Sequence, residues 1–189
     1  RALHVESAGS GPALVLLHGW ALHGGLFAPL VPALARRHRV HVVDLPGHGH
    51  SPAVAPFTLD AIVARLDERF AREAPLTVLG WSLGGTVALR WARQSPARVA
   101  RLVLVGATPR FVAAADWAHA MAPVTLARFA DELAVAYRLT LQRFLTLQVQ
   151  GSDAGRATLA ALRSALFARG QPAPAALAAA LDLLVATDL

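Results

Sequence analysis

Cysteine, lysine and asparagine are all absent from this sequence of 189 residues. Without cysteine, disulfides, thiol catalysis and cysteine-ligated zinc are excluded. Without lysine, all 18 basic residues are arginine, whose charge persists at any ordinary pH. Long apolar runs are lacking too, since none reaches the roughly 18 residues that a membrane-spanning helix needs.

The 18 basic residues outnumber the 12 acidic ones, which gives a formal net charge of +6. The arginine and alanine content is typical of a biased coding composition, so an isoelectric point near 11.5 does not by itself indicate nucleic-acid binding. No aromatic-interleaved arginine run or helix-turn-helix pattern supports such binding. We therefore expect no nucleic-acid or membrane partner and, without a signal segment, a cytoplasmic location.

Short apolar runs alternate with helix-length amphipathic stretches, which is typical of strands joined by crossover helices in a mainly parallel sheet. The predicted fold class is therefore α/β, with helices on both faces of the sheet. Strands are predicted over residues 3–6, Ala13–Leu17, 40–43, 76–79 and 102–105, and helices over residues 27–37, 59–72 and Leu83–Gln94.

Beyond Thr108-Pro109 the pattern becomes purely helical. Helices are predicted there over residues 125–136, 140–148, 154–168 and 174–185. A helical insertion after a strand of an α/β sheet indicates a lid. The predicted organisation is a core over residues 1–110, a lid over 111–185, and the start of a return to the core over 186–189.

The strongest motif is Gly80-Trp81-Ser82-Leu83-Gly84, between a predicted strand and a predicted helix. A serine at such a turn is held in a strained conformation that projects its oxygen above the sheet, and only very small residues fit on either side. A chance match in a glycine-containing turn is the plainer alternative. The strand–turn–helix context favours Ser82 as a catalytic nucleophile.

A second motif, His18-Gly19-Trp20, directly follows the strand Ala13–Leu17. Acyl transfer needs two backbone N–H donors for the oxyanion, one after the nucleophile and one from such a loop. Trp20 and Leu83 are the predicted donors. His18 is either a base or, as we expect, a residue that holds this loop by hydrogen bonds.

The segment from Asp44 to Ser51 follows the next strand and is rich in proline and glycine, which is typical of a turn. A metal site formed by Asp44, His48 and His50 is the alternative, but a convincing further ligand is lacking. We expect neither a metal nor a cofactor.

Taken together, these motifs resemble the α/β-hydrolase superfamily. A closer resemblance is to the carboxylesterases of biotin synthesis that hydrolyse the methyl ester of pimeloyl-acyl-carrier protein. It rests on the segments Leu16-Leu17-His18-Gly19-Trp20, Val43-Asp44-Leu45-Pro46-Gly47, Leu79 to Gly85, Arg143-Phe144-Leu145-Thr146-Leu147-Gln148 and Thr187-Asp188-Leu189.

The resemblance implies that Ser82 attacks the methyl ester, that methanol leaves, and that water then releases the acid. It implies an oxyanion hole at Trp20 and Leu83, and contact between lid arginines and an acidic acyl carrier protein. The implied substrate-binding residues are Trp20, Ser82, Leu83, Phe144, Leu145, Thr146, Leu147 and Gln148, and the implied carrier contacts are Arg138, Arg143, Arg156 and Arg163.

The residues themselves leave both lid assignments open. Arg156 and Arg163 are seven positions apart and so share a helix face, which would steer an acidic partner. An ordinary solvated face explains them equally well. Likewise, Phe144 and its apolar neighbours suit the lid core as well as a channel. The full-length protein is expected to be a monomer.

The superfamily order is nucleophile, then acid, then histidine. Because the sequence ends at Leu189, where the lid is expected to return to the sheet, the last strands and both triad partners are expected to be absent. The sheet would then expose an apolar edge, with poor solubility or a completing partner chain. His23, His119 and Asp116 are possible substitutes within the chain, although each is more simply a surface or loop residue.

Three hypotheses follow. The first is the carrier-protein methyl ester esterase, the second a general short-chain esterase or lactonase of the same fold, and the third a non-catalytic fragment that only binds.

Overall fold

The computed structural model describes residues 2–189 and contains a five-stranded sheet in the order β1-β3-β2-β4-β5. The first strand is antiparallel to β3, and all other neighbours are parallel. This confirms the α/β class. The strands are β1 (Val5–Ala8), β2 (Ala13–Leu17), β3 (Arg39–Val43), β4 (Leu76–Trp81) and β5 (Val99–Val105).

Two long helices of the sheet region match their predicted positions closely. They are α2 (Leu59–Arg69), which begins after the N-cap Thr58, and α3 (Leu83–Gln94), which follows β4. The Thr58 hydroxyl accepts the Ala61 N–H at 3.2 Å, so one of the free donors of the first turn is satisfied.

The helix predicted over residues 27–37 is wrong in extent. A 3₁₀ turn at Gly24–Phe27 is followed by a single α-helical turn, α1 (Val31–Leu34). Proline lacks the N–H needed inside a helix and disfavours helical geometry in the residue before it. Pro29 therefore prevents an α-helix that starts at residue 27, whereas Pro32 lies in the first turn of α1, where its missing N–H costs no hydrogen bond.

The middle and the edge of the sheet differ sharply in burial. In β2, Leu14–Leu17 are buried on both faces, as expected for a central parallel strand. In β5, at the edge, Val103, Leu104 and Val105 are 43%, 40% and 45% exposed. The apolar edge predicted from the sequence is therefore present in the described residues.

Three helices follow β5: α4 (Pro123–Gln148), α5 (Gly155–Ala165) and α6 (Pro174–Ala186). The two helices predicted over residues 125–136 and 140–148 correspond to the two helical segments of α4, which meet at a kink at Ala136 (φ −135°, ψ 52°). Both α5 and α6 pack against α4. No helix within residues 2–189 is long and apolar enough to cross a membrane.

The end of the chain lies against the segment that follows β5. Arg110 forms an isolated antiparallel bridge with Asp188, and its guanidinium lies 3.1 Å from the Asp188 carboxylate. The Leu189 N–H donates to the Pro109 carbonyl at 3.2 Å. These contacts bring the two ends of the helical segment together. The predicted domain limits at 110 and 186 stay a prediction.

Candidate active site

Ser82 occupies the turn between β4 and α3 with φ 53° and ψ −117°, in the left-handed region that residues with a side chain rarely adopt. Its N–H donates to the Val105 carbonyl at 2.9 Å, and its own carbonyl accepts the Gly85 N–H at 2.8 Å. Since such strain persists only where the surroundings enforce it, the turn is a functional candidate.

The glycines around Ser82 are required by close backbone packing. A Cβ at Gly80 would lie 2.5 Å from the Gly85 Cα, and one at Gly84 would lie 2.6 Å from the Leu17 carbonyl carbon. No side chain fits at these distances without moving the backbone. The start of α3 can therefore lie directly against the end of β2, as the motif predicted.

The loop after β2 lies beside this turn. A Cβ built at Gly19 would be 3.5 Å from the Ser82 Cβ, so the backbone of residues 18–20 approaches the serine closely. Ala21 in the same loop has φ 63°; among residues 2–189, it and Ser82 are the two residues other than glycine with positive φ. Two strained residues thus lie in adjacent loops, and no sequence signal pointed to Ala21.

Backbone N–H groups are available from both sides of Ser82. Leu83 is the first residue of α3, so its N–H has no acceptor within the helix and lies at the positive end of the helix dipole. The Leu83 side chain itself is buried in the core. Trp20 follows Gly19, and its indole N–H donates to the Leu177 carbonyl of α6 at 2.9 Å. Both residues lie next to Ser82 or line its pocket, and their role in an oxyanion hole remains a prediction.

His18 is fully buried and has both ring nitrogens occupied. Nδ1 donates to the Gly19 carbonyl at 2.8 Å, and Nε2 accepts the Leu45 N–H at 2.9 Å. Burial, reinforced by the nearby His48, lowers the pKa of His18 well below its ordinary value. A neutral ring with no free nitrogen is not a base, so His18 acts by holding the loop.

Asp44 is also buried and accepts N–H groups from Gly24 at 2.7 Å and His50 at 2.9 Å. Burial raises the pKa of Asp44, but these bonds and the charge of Arg169 outweigh it, so the pKa lies below its ordinary value. His48 Nδ1 donates to the Pro46 carbonyl at 3.0 Å. In the described part of the chain no three side chains converge as metal ligands, and Asp44 instead organises the turn.

An apolar pocket of about 310 Å³ opens at Ser82. It is closed by Trp20 on the sheet side and by residues of the segment after β5 and of α4 and α6 on the other side. The Trp20 ring meets Phe129 and Phe144 edge to face, at 5.3 and 5.2 Å between centroids. The remaining lining residues are Phe111, Met121, Thr125, Leu126, Arg128, Glu132, Leu147, Gln148, Leu181 and Leu184.

The channel predicted for residues 144–148 needs a correction. Phe144, Leu147 and Gln148 line the pocket, because positions i, i+3 and i+4 share one face of a helix. Leu145 points into the core and is fully buried, and Thr146 lies on the exposed face, where its hydroxyl donates to the Gln142 carbonyl. A run of five consecutive residues cannot line one pocket from a helix.

The substitutes considered for the triad are engaged elsewhere. His23 Nε2 donates to the Ala165 carbonyl at 2.6 Å, while its Nδ1 accepts the Gly25 N–H. His119 is exposed, and Asp116 pairs with Arg110 at 3.1 Å. Within residues 2–189, no histidine lines the pocket at Ser82.

All four arginines predicted to contact a carrier protein are exposed. Arg143 lies 3.3 Å from Glu132, and the Arg138 guanidinium lies 5.6 Å from the centre of the Phe167 ring. Arg156 and Arg163 are both on α5. Contact with a partner is not tested by this geometry and stays a prediction.

Residues 12–180 match the family described as alpha/beta hydrolase fold. The chain is 50% identical over 188 residues to the pimeloyl-[acyl-carrier protein] methyl ester esterase of Xanthomonas oryzae pv. oryzae, covering 99% of this chain and 73% of that protein. The same-named esterase of Chromobacterium violaceum is 47% identical, with 98% and 72% covered. The chain belongs to this esterase family of α/β-hydrolases. A solved esterase from Exiguobacterium antarcticum shares the fold, with a TM-score of 0.87, 22% identity and coverage of 99% of this chain and 70% of that one.

Proposed function

We propose that this member of the esterase family is a serine carboxylesterase that hydrolyses the methyl ester of pimeloyl-acyl-carrier protein to the free acid and methanol. The observation that carries the proposal is the strained Ser82 at the mouth of an apolar pocket. The relatives that share about half of its residues carry this activity in their names.

In the proposed reaction, Ser82 Oγ attacks the ester carbonyl while a base accepts its proton. The N–H groups of Trp20 and Leu83 stabilise the negative oxygen, which is where such donors contribute most to the rate. Methanol leaves with the proton, and water then cleaves the acyl-enzyme. Both steps pass through the same oxyanion, so the same two donors serve twice.

The pocket supports a slender acyl substrate. Its volume of about 310 Å³ is at the small end of the range for ligand sites, and Phe129, Phe144 and Leu147 give it an apolar wall. A methylene chain gains from burial there, at about 0.8 kcal/mol for each CH₂ removed from water. Arg128, Glu132 and Gln148 supply polar groups for the parts of the substrate that are not hydrocarbon.

Serine is a weak nucleophile without a base, and none of the histidines within residues 2–189 lines the pocket at Ser82. The chain spans about 73% of the length of the Xanthomonas relative. The sharpest test is therefore a chimera that joins this chain to the part of the Xanthomonas esterase outside the matched region. Methanol release from pimeloyl-acyl-carrier protein methyl ester is measured with and without Ser82→Ala, beside the chain alone.

We expect the chimera to release methanol, Ser82→Ala to abolish the release, and the chain alone to be slower by several orders of magnitude. A folded chimera that hydrolyses simple esters but not the carrier-bound ester would instead support a general esterase or lactonase. Activity that survives Ser82→Ala would refute the assigned nucleophile. A chain that binds the carrier-bound ester, with a chimera that stays inactive, would favour the non-catalytic alternative.

Contact with an acidic carrier protein is proposed for Arg138, Arg143, Arg156 and Arg163, all exposed on α4 and α5. Binding of the carrier should weaken as salt screens these charges. Arg156→Glu together with Arg163→Glu should raise the KM for the carrier-bound ester and leave the KM for a small ester unchanged. Equal effects on both substrates would contradict the proposal. Cytoplasmic location and a monomeric state stay predictions.

A further inference from the structure

The loop formed by residues 18–24, here called the oxyanion loop, is held at both ends by two consecutive residues after β3. At its start, His18 Nε2 accepts the Leu45 N–H at 2.9 Å. At its end, the Gly24 N–H donates to Asp44 Oδ1 at 2.7 Å. Whatever fixes Asp44 therefore also fixes the far end of the oxyanion loop.

Asp44 has no exposed surface, and a buried carboxylate is costly unless it is paired. Its counter-charge is Arg169, which lies 125 residues further along the chain. Arg169 Nη1 lies 3.2 Å from each of the two Asp44 carboxylate oxygens. Nη2 of the same guanidinium lies 2.6 Å from Glu6 in β1. The arginine side chain is 11% exposed, so water screens its pair with buried Asp44 little, whereas Glu6 is 54% exposed and its pair is screened more.

Arg169 follows α5, and the same short segment touches the oxyanion loop a second time. The carbonyl of Ala165, the last residue of α5, accepts His23 Nε2–H at 2.6 Å. His23 Nδ1 accepts the Gly25 N–H at 3.1 Å, so this ring also fixes the backbone that leaves the loop. The segment 165–169 thus contacts both the loop and the residue that anchors it.

We propose that Arg169 is a positioning residue for the oxyanion hole, which acts through Asp44 and Gly24 to hold the loop that carries the Trp20 N–H beside Ser82. The catalytic part of this proposal rests on the proposed function. The mechanical part, that the Arg169 charge fixes residues 18–24, stands on the contacts alone. The packing of segment 165–169 against the core is thereby coupled to the position of the oxyanion loop.

The test compares Arg169→Met, Arg169→Lys and the wild-type chain, with Arg72→Met, at an exposed position after α2, as the matched control. Amide hydrogen exchange is followed by mass spectrometry for peptides covering residues 18–25 and 44–50, and for a reference peptide covering β4 and α3. In parallel, the same substitutions are made in the chimera, where labelling of Ser82 by a fluorophosphonate is resolved into an affinity and a maximal rate.

For Arg169→Met we expect exchange in residues 18–25 and 44–50 to rise by about tenfold or more, since a hydrogen-bonded charge is removed, with the reference peptide unchanged. The maximal labelling rate should fall by about tenfold while the affinity is unchanged. Arg169→Lys should recover part of both effects, and Arg72→Met should show neither.

Unchanged exchange in residues 18–25 would overturn the proposal, as would a rise that is equal in all peptides. If Arg169→Met does not fold, Arg169→Lys decides, because lysine keeps the charge but loses the forked geometry of the guanidinium. Unchanged exchange in residues 18–25 of Arg169→Lys would then overturn the proposal. Absence of labelling in the wild-type chimera would count against the proposed function, whereas the exchange result would still decide the role of Arg169.

Discussion

The two walls of the pocket are built in different ways. The sheet wall, formed by the turn at Ser82 and the oxyanion loop, is held by backbone hydrogen bonds and by glycines that leave no room for a Cβ. The helix wall, formed by α4 and α6, is held by side-chain packing around Phe129 and Phe144. A wall made of backbone tolerates almost no change, whereas a wall of side chains can be repacked.

The largest effect expected from this difference is that of Gly84→Ala. The new Cβ would lie 2.6 Å from the Leu17 carbonyl carbon and 2.7 Å from the His18 carbonyl oxygen, and neither backbone group can yield. We expect a loss of roughly 4 kcal/mol in the free energy of unfolding, measured by urea denaturation, or failure to fold.

Gly151→Ala is the matched control for that prediction. Gly151 has a positive φ of 80° and nothing within 4 Å of its Cβ position, so only backbone strain of about 1 kcal/mol is added. Similar losses for the two variants would show that steric contact at Gly84 does not set the rigidity of the sheet wall.

The second-largest effect is expected from acid, which should lower the free energy of unfolding through the buried histidines of the sheet wall. Burial lowers the pKa of both His18 and His48, whose rings lie 5.3 Å apart, while the unfolded chain takes up protons near pH 6.5. The unfolded state therefore binds more protons below that pH, and stability falls as pH falls. His18, whose pKa burial lowers to about 3, stays neutral down to pH 5, which costs about 2 kcal/mol there.

The measurement is urea denaturation at pH 7.5 and pH 5. The difference in the free energy of unfolding between the two pH values should be smaller in His48→Gln than in the wild type. His119→Gln, at an exposed position, should behave as the wild type does. An unchanged difference in His48→Gln would mean that this buried ring is not a source of the acid sensitivity.

The sheet wall was also the part that the sequence could predict. Turns at residues 18–20, 44–51 and 80–85 depend on local backbone chemistry, so their glycines and Ser82 mark them directly. The ion pair between Arg169 and Asp44 joins residues 125 positions apart and leaves no local pattern. No motif predicted the positive φ of Ala21 either, because alanine is not a residue type that marks such a conformation.

The helix wall was predicted less well, because apolar spacing gives the face of a helix but not its neighbour. The kink at Ala136 divides α4 into two helical segments, as predicted, but Leu145 lies on the core side of the same helix whose Phe144 lines the pocket. Leu181 and Leu184 belong to an almost uniformly apolar helix, in which periodicity cannot single out the pocket face.

Phe144→Ala should have an intermediate effect, on the helix wall alone. The ring loses its edge-to-face contact with Trp20 at 5.2 Å and its tilted contact with Phe129 at 6.0 Å, which together contribute about 1.5 kcal/mol to the free energy of unfolding. In the chimera, hydrolysis of the pimeloyl ester should suffer more than that of methyl acetate, since only the longer chain reaches this ring. Equal losses on the two esters would place Phe144 in packing rather than in substrate binding.

The smallest effect is expected at Val135, the residue before the kink in α4, which is 89% exposed. Val135→Glu places a charge on a surface that is already in water and replaces a β-branched residue with a better helix former. We expect the free energy of unfolding to change by less than about 0.5 kcal/mol, and labelling of Ser82 to be unaffected. If urea denaturation shows a loss of more than about 1 kcal/mol in the free energy of unfolding, the outer face of α4 is covered in solution. The contrast between a rigid sheet wall and a tolerant helix wall would then hold only for the pocket face of that helix.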